Sequence, residues 1–225
     1  MTNNSKILWI IFLVITGCLI MAWVDVGLSP SYAIKSIIKL FLFLILPFGY
    51  SLLDRENSFR KLFFFDQKKF PFSVLLGVGV YMLIIGAYFL IGPYFDFSNI
   101  TVTLQNNIGV NKNNFVFVSF YISVINSLLE EFFFRGFAFL TLKKLTSRKV
   151  AYLFSAGAFS IYHIAIMTSW FTPLLFVFLI TSLFVAGLMF NWLNEKNDNI
   201  YTSWIVHISA NLAINTIGFM LFGII

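Results

Sequence analysis

Seven runs of roughly twenty apolar residues dominate the sequence and leave few folds open to it. They cover 7–24, 34–53, 71–92, 115–142, 150–167, 170–193 and 200–225. Each is long enough, or nearly so, to cross a hydrocarbon layer as a helix, which takes about 20 residues. A backbone in lipid must satisfy its own hydrogen bonds, so the expected fold class is an all-α polytopic bundle of about seven, or eight, transmembrane helices. Only 11% of the residues are charged, against about 25% in a soluble domain. Residues 1–225 are therefore expected to form one integral-membrane domain in the lipid bilayer.

A net charge of +6 could suit nucleic acid, but the basic residues are grouped in short loops between apolar runs, so no nucleic-acid partner is expected. Arg55, Arg60, Lys61, Lys68 and Lys69 follow the second run, and Lys143, Lys144, Arg148 and Lys149 follow the fourth. These loops predict a multi-pass cell-membrane protein with a cytoplasmic N-terminus and an extracytoplasmic C-terminus. Lys35 and Lys39 fit that alternation least well; at the outer end of the second run they are expected to snorkel to the interface. A cleaved signal peptide is disfavoured, because the first run is too long and Ser31-Tyr32-Ala33 lies too far beyond it. Pro47 is expected to kink the second helix and Gly92-Pro93 to stop the third. Asn106, Asn107, Asn111, Asn113 and Asn114 mark a polar loop. Cys18 is alone, so it forms no internal disulfide and is expected to be a small packing residue. Phe, Lys, Asn and Ile, all with AT-rich codons, are common and point to a low-GC bacterium.

Against this apolar background one stretch stands out: Asn126-Ser-Leu-Leu-Glu130-Glu131-Phe-Phe-Phe-Arg135-Gly136. Charges inside a membrane are costly, so those that persist are usually paired and functional. Glu131 and Arg135 are four apart and share a helical face, which predicts an ion pair. Glu130 lies ~140° around an α-helix from Arg135 and is expected to be left free for chemistry. The only two histidines sit in other runs, in Phe159-Ser-Ile-Tyr-His163 and His207-Ile-Ser-Ala-Asn211. Counting ~1.5 Å per residue from the basic end of each run places Glu130 at ~20 Å, His163 at ~21 Å, Asn211 at ~17 Å and His207 at ~11 Å. Side chains from three helices are thus expected to meet. Asn126, Asn215 and Ser160 are expected to be hydrogen-bond glue between helices, and the many Phe residues to face lipid or pack.

A carboxylate with two imidazoles can activate water as a general base. His207 and Asn211 could donate to the oxyanion formed when a carbonyl is attacked. Alternatively Glu130, His163 and His207 could hold Zn²⁺ with an open position for water. There is no His-Glu-x-x-His helix, so a standard zincin is unsupported. These residues alone leave metal-bound and metal-free water open.

The ordered set Glu130-Glu131-x-x-x-Arg135, Phe159-x-x-x-His163 and His207-x-x-x-Asn211 resembles the CPBP family. This is the CAAX-protease and bacteriocin-processing (Abi) group of intramembrane endopeptidases, which includes the Rce1-type CAAX proteases. The resemblance covers about 115–225, and the first three runs match only as generic membrane helices. It implies an all-α membrane bundle, often of eight helices, that hydrolyses a membrane-associated peptide or protein. It also implies Glu130 as general base, His163 holding the water, His207 and Asn211 as the oxyanion site, and Glu131 and Arg135 in support. The family is often labelled a metalloprotease, and a metal-free, glutamate-activated water has been argued for some members. Bacteriocin self-immunity and maturation of peptide signals are among its roles. A non-enzymatic immunity or regulatory protein on the same scaffold is the alternative, and a small transporter ranks below both.

Overall fold

The structure, a computed structural model, describes residues 2–54, 59–167 and 170–225. Among the described residues, seven helices are long and apolar enough to cross a membrane. They are α1 (Asn3–Leu28), α2 (Tyr32–Leu52), α3 (Phe70–Tyr94), α5 (Phe115–Leu145), α6 (Arg148–Met167), α7 (Pro173–Asn197) and α8 (Tyr201–Leu221). The eighth, α4 (Ser98–Ile108), is too short to span. No strand occurs among the described residues. The chain is a polytopic all-α bundle.

The segment between α3 and α5, expected to be a polar loop, contains α4. Asp96 Oδ1 accepts the Ser98 N–H at 2.8 Å, which satisfies a donor that the first helical turn leaves unpaired. Gly109, at φ 68°, closes the helix in the left-handed conformation, where a side chain would be strained. Only then does the polar turn begin, where Asn114 Nδ2 donates to Gly109 O at 2.8 Å.

The core is built around α5, which packs against α1, α2, α6, α7 and α8. Phe132, Phe133, Phe134, Phe137 and Phe139 are all buried. Phe133 stacks on Phe43 of α2 with ring centroids 4.0 Å apart. Phe134 meets Tyr162 of α6 at 5.8 Å. By contrast α3 is mostly outward-facing and packs chiefly on α8, tied by Ser73–Thr202 and Tyr81–Thr216 hydrogen bonds. Helices α6 and α7 approach closely because position 187 is glycine. A Cβ there would lie 3.0 Å from Ala156 Cα, inside ordinary contact.

Helix α5 is not regular. It takes the wider π form over Ile122–Asn126 and again over Glu131–Leu140. Such turns misalign the carbonyl ladder, and neighbouring helices bond the carbonyls. Asn211 Nδ2 donates to Ile122 O, Asn215 Nδ2 to Ser119 O and Trp204 Nε1 to Val124 O, each at 3.1 Å. Ser155 Oγ donates to Phe134 O at 2.7 Å. A π turn also occupies Phe41–Ile45 of α2, just before Pro47. A proline lacks the N–H that would continue the α ladder, so the departure foreseen at Pro47 takes this form. Asn215 and Ser160, which donates to Ile180 O at 2.7 Å, do join helices. Cys18 is half-buried beside the core.

Ion pairs tie the helix ends together. Lys6 and Asp54 meet at 2.8 Å, joining the start of α1 to the end of α2. Glu195 of α7 accepts from Arg148 and from Tyr152 of α6, and Lys143 of α5 lies 3.5 Å away. Ile200 N–H donates to Leu62 O at 3.2 Å, bringing the basic 59–69 segment beside the start of α8. The basic loops thus lie at the same end of the bundle. Arg55 lies outside the described residues.

Candidate active site

Glu130 sits where a single α turn, Ser127–Glu130, gives way to the second π segment. Its Oε1 accepts two hydrogen bonds, from Lys39 Nζ at 2.5 Å and from Asn126 Nδ2 at 3.0 Å. Asn126 Oδ1 accepts a further bond from Lys39 Nζ at 2.5 Å. The ammonium also lies 4.9 Å from the centroid of Tyr162 and 5.2 Å from that of Phe43, whose electron-rich faces favour a cation. Lys39 therefore does not snorkel. Its charge is balanced inside the bundle by Glu130, which removes the reason to reach for water. Lys35 is also turned inward, 3.1 Å from Asp25. Two further expectations change with this. Glu130 is not wholly free, since Oε1 is engaged, and Asn126 is part of the carboxylate's own surroundings.

The other oxygen, Oε2, faces both histidines. His207 Nε2 lies 3.7 Å from it and His163 Nε2 3.9 Å. His163 Nδ1 is 2.7 Å from Phe159 O, and a carbonyl only accepts, so that nitrogen carries the hydrogen. His207 Nδ1 lies 3.0 Å from Glu131 Oε1 and is likewise the donor. In the neutral rings both Nε2 atoms then present lone pairs. Three acceptors converge on one point, at separations too long for direct hydrogen bonds and suited to a bridging donor such as water. His163 is the most exposed member, with 17% of its side chain accessible against 3% for Glu130. The approach to the site lies on its side.

Glu131 and Arg135 form the expected i,i+4 pair, with Nη1 3.5 Å from Oε1. The pair is not self-contained, because the same Oε1 receives His207 Nδ1. The Arg135 guanidinium lies 3.9 Å from the centroid of Phe159 and 5.0 Å from that of Phe190. Phe190 stacks on the His207 ring at 5.3 Å. The result is a fixed column in which Arg135 holds Glu131, Glu131 orients His207, and His207 faces Glu130.

Residues 112–213 match the family model described as Rce1-like, type II CAAX prenyl endopeptidase. Over these residues the chain is similar to the Rce1-like family. No curated protein and no solved structure matches the chain. The family is one of CAAX-type endopeptidases, so the Rce1-like segment is of the protease kind. It contains Glu130, Glu131, Arg135, His163, His207 and Asn211. Lys39 lies outside it, on α2.

The spacing of the site also bears on whether it suits a metal ion. Ligands to one tetrahedral Zn²⁺ sit roughly 3.3 Å apart, given bonds of about 2.0–2.1 Å. The spacings of 3.7 and 3.9 Å to Oε2 are wider, and Lys39 already supplies a cation to the carboxylate. Among the described residues no three His, Cys, Asp or Glu side chains are grouped to hold a metal ion. The residues as arranged do not fit Zn²⁺.

The structure brings Glu130, His163 and His207 together. Asn211 shares the His207 face but spends one amide hydrogen on Ile122 O. Sequence reasoning missed Lys39, although the depth count could have found it. Lys39 is 14 residues from Leu53, or ~21 Å, the level already assigned to Glu130 and His163. It escaped because it was read from the outer end of its helix.

Proposed function

We propose that the protein is an intramembrane endopeptidase that cleaves a membrane-associated peptide or protein, using a water activated by Glu130. The observation that carries this reading is the convergence of Oε2 and two imidazole Nε2 atoms from three helices. A water among them donates one hydrogen to Oε2 and is steered by His163. As its oxygen attacks the scissile carbonyl, its proton passes to Oε2. The carbonyl oxygen becomes an oxyanion, to which the second amide hydrogen of Asn211 donates, while the neutral His207, held by Glu131, keeps its Nε2 lone pair toward the water. The proton on Glu130 then moves to the leaving amine as the C–N bond breaks, which restores the carboxylate. Burial strengthens each of these interactions.

The test is cleavage by purified protein in lipid. Glu130→Gln is expected to lower turnover by at least about 10³-fold and His163→Ala by about 10²-fold or more, with the helical content of both variants unchanged. Wild-type cleavage by both sinks the reading. The spacing of the site also predicts that dialysis against a strong chelator leaves turnover unchanged. A loss restored by Zn²⁺ contradicts that. In cells, the precursor that accumulates in a Glu130→Gln strain identifies the substrate. A neighbouring bacteriocin or pheromone gene would favour immunity or signal maturation as the role.

A further inference from the structure

The strongest unassigned feature is the cation on α2. The Lys39 Nζ lies 2.5 Å from both Glu130 Oε1 and Asn126 Oδ1, and its side chain is only 6% exposed. The ammonium lies over the rings of Phe43, one helical turn on, and Tyr162 of α6. This ammonium is not available for a general electrostatic role at the membrane surface. It engages one oxygen of the one carboxylate that faces both histidines.

We propose that Lys39 is the positioning residue of this site. It anchors Oε1, keeps Glu130 as a carboxylate, and thereby leaves Oε2 as the single oxygen presented to His163 and His207. The proposal rests on the hydrolytic reading of Glu130 given above. Three observations carry it. First, the two oxygens of Glu130 are divided, with Lys39 and Asn126 on one and the two imidazoles near the other. Second, Arg135, the other buried cation nearby, is committed to Glu131 and to the faces of Phe159 and Phe190. Third, an isolated buried carboxylate takes up a proton rather than stay charged, and in that state it cannot accept one from water. The consequence is that the Rce1-like segment, 112–213, does not carry the whole site. A helix outside it supplies the charge that makes the base usable.

The experiment uses the full chain in lipid nanodiscs with Lys39→Met, Lys39→Arg, Glu130→Gln and the double variant Lys39→Met/Glu130→Gln. Dicyclohexylcarbodiimide, an apolar reagent, modifies protonated membrane carboxyls and reads the state of Glu130 without any proteolysis. At neutral pH we expect slow labelling of Glu130 in the wild type, at least tenfold faster labelling in Lys39→Met, and near wild-type labelling in Lys39→Arg. Turnover is expected to fall about 100-fold in Lys39→Met with KM changed less than threefold, and to recover in part in Lys39→Arg. Should Lys39→Met unfold, the double variant decides. It removes both charges, so it is expected to melt above Lys39→Met if the two groups are paired. Unchanged labelling of Glu130 in folded Lys39→Met overturns the proposal, and so does a double variant no more stable than an unfolded Lys39→Met. Cleavage that survives Glu130→Gln overturns instead the hydrolytic reading, and the labelling pattern still reports whether Lys39 controls the carboxylate.

Discussion

At the scale of the residue, the site depends on how few ways a buried charge can be tolerated. Arg135 and Glu131 are wholly buried, and the guanidinium is held by one carboxylate and two aromatic faces. Removing one partner leaves the other uncompensated, which costs about 3–5 kcal/mol. Arg135→Met is therefore expected to lower the melting temperature sharply, with part of the loss recovered in Arg135→Met/Glu131→Gln. Thermal unfolding in detergent checks this. Arg135→Lys is not expected to rescue, because an ammonium cannot lie flat against Phe159 as the planar guanidinium does. Much of this was legible in the sequence. The four-residue spacing identified the Glu131–Arg135 pair, and residue counts brought Glu130 and His163 to one level. What the spacing hid was that Glu131 serves two partners, because His207 lies 76 positions further on.

At the scale of the element, the irregularity of α5 matters most. An expectation built on 100° per residue treats the helix as α throughout, yet π turns flank Ser127–Glu130 on both sides. No residue pattern announced them. They arise with their partners, since Asn211, Trp204, Asn215 and Ser155 supply the donors that displaced carbonyls need, and those donors belong to other helices. Helix α4 was hidden differently, since its Asp96 and Gly109 were readable end signals within an Asn-rich composition. Position 187 offers a test at this scale. Gly187→Val forces α7 away from Ala156 and so disturbs α6, which carries His163. The expected cost is about 1–3 kcal/mol of stability, with turnover falling more than the stability loss alone accounts for. Melting and turnover measured on the same preparation separate the two effects.

At the scale of the whole molecule, the apolar runs alone gave the bundle and the number of long helices. The handling of charge between helices was not legible, because it depends on which helices become neighbours. Lys35 and Lys39, expected to snorkel to an interface, proved to be interior residues. The basic loops lie together at one end, and that end is expected to face the cytoplasm. A single cysteine placed at Asp66, in a Cys18→Ser background, should react with a membrane-impermeant maleimide only after the cells are opened, whereas one at Asn113 should react in intact cells.

The pairing of Lys39 with Glu130 also bears on how the protein is made. The two residues are 91 positions apart, so α2 leaves the ribosome long before α5 exists. At roughly 5–20 residues per second this interval is about 5–18 s. Throughout it the ammonium of Lys39 has no Glu130 to pair with, and an unpaired lysine within a span opposes insertion by up to about 2.5–3.5 kcal/mol, the value at the centre. Helix α2 is already less apolar than α1, with a mean hydropathy of 1.8 against 2.7. During synthesis it is expected to remain at the insertion machinery, held to α1 by the Asp25–Lys35 pair, until α5 arrives. Translation arrested after α2 should therefore yield a helix that crosslinks to the translocon and releases into lipid only when Lys39 is replaced by leucine. The residue that completes the site is, for those seconds, the obstacle to its assembly.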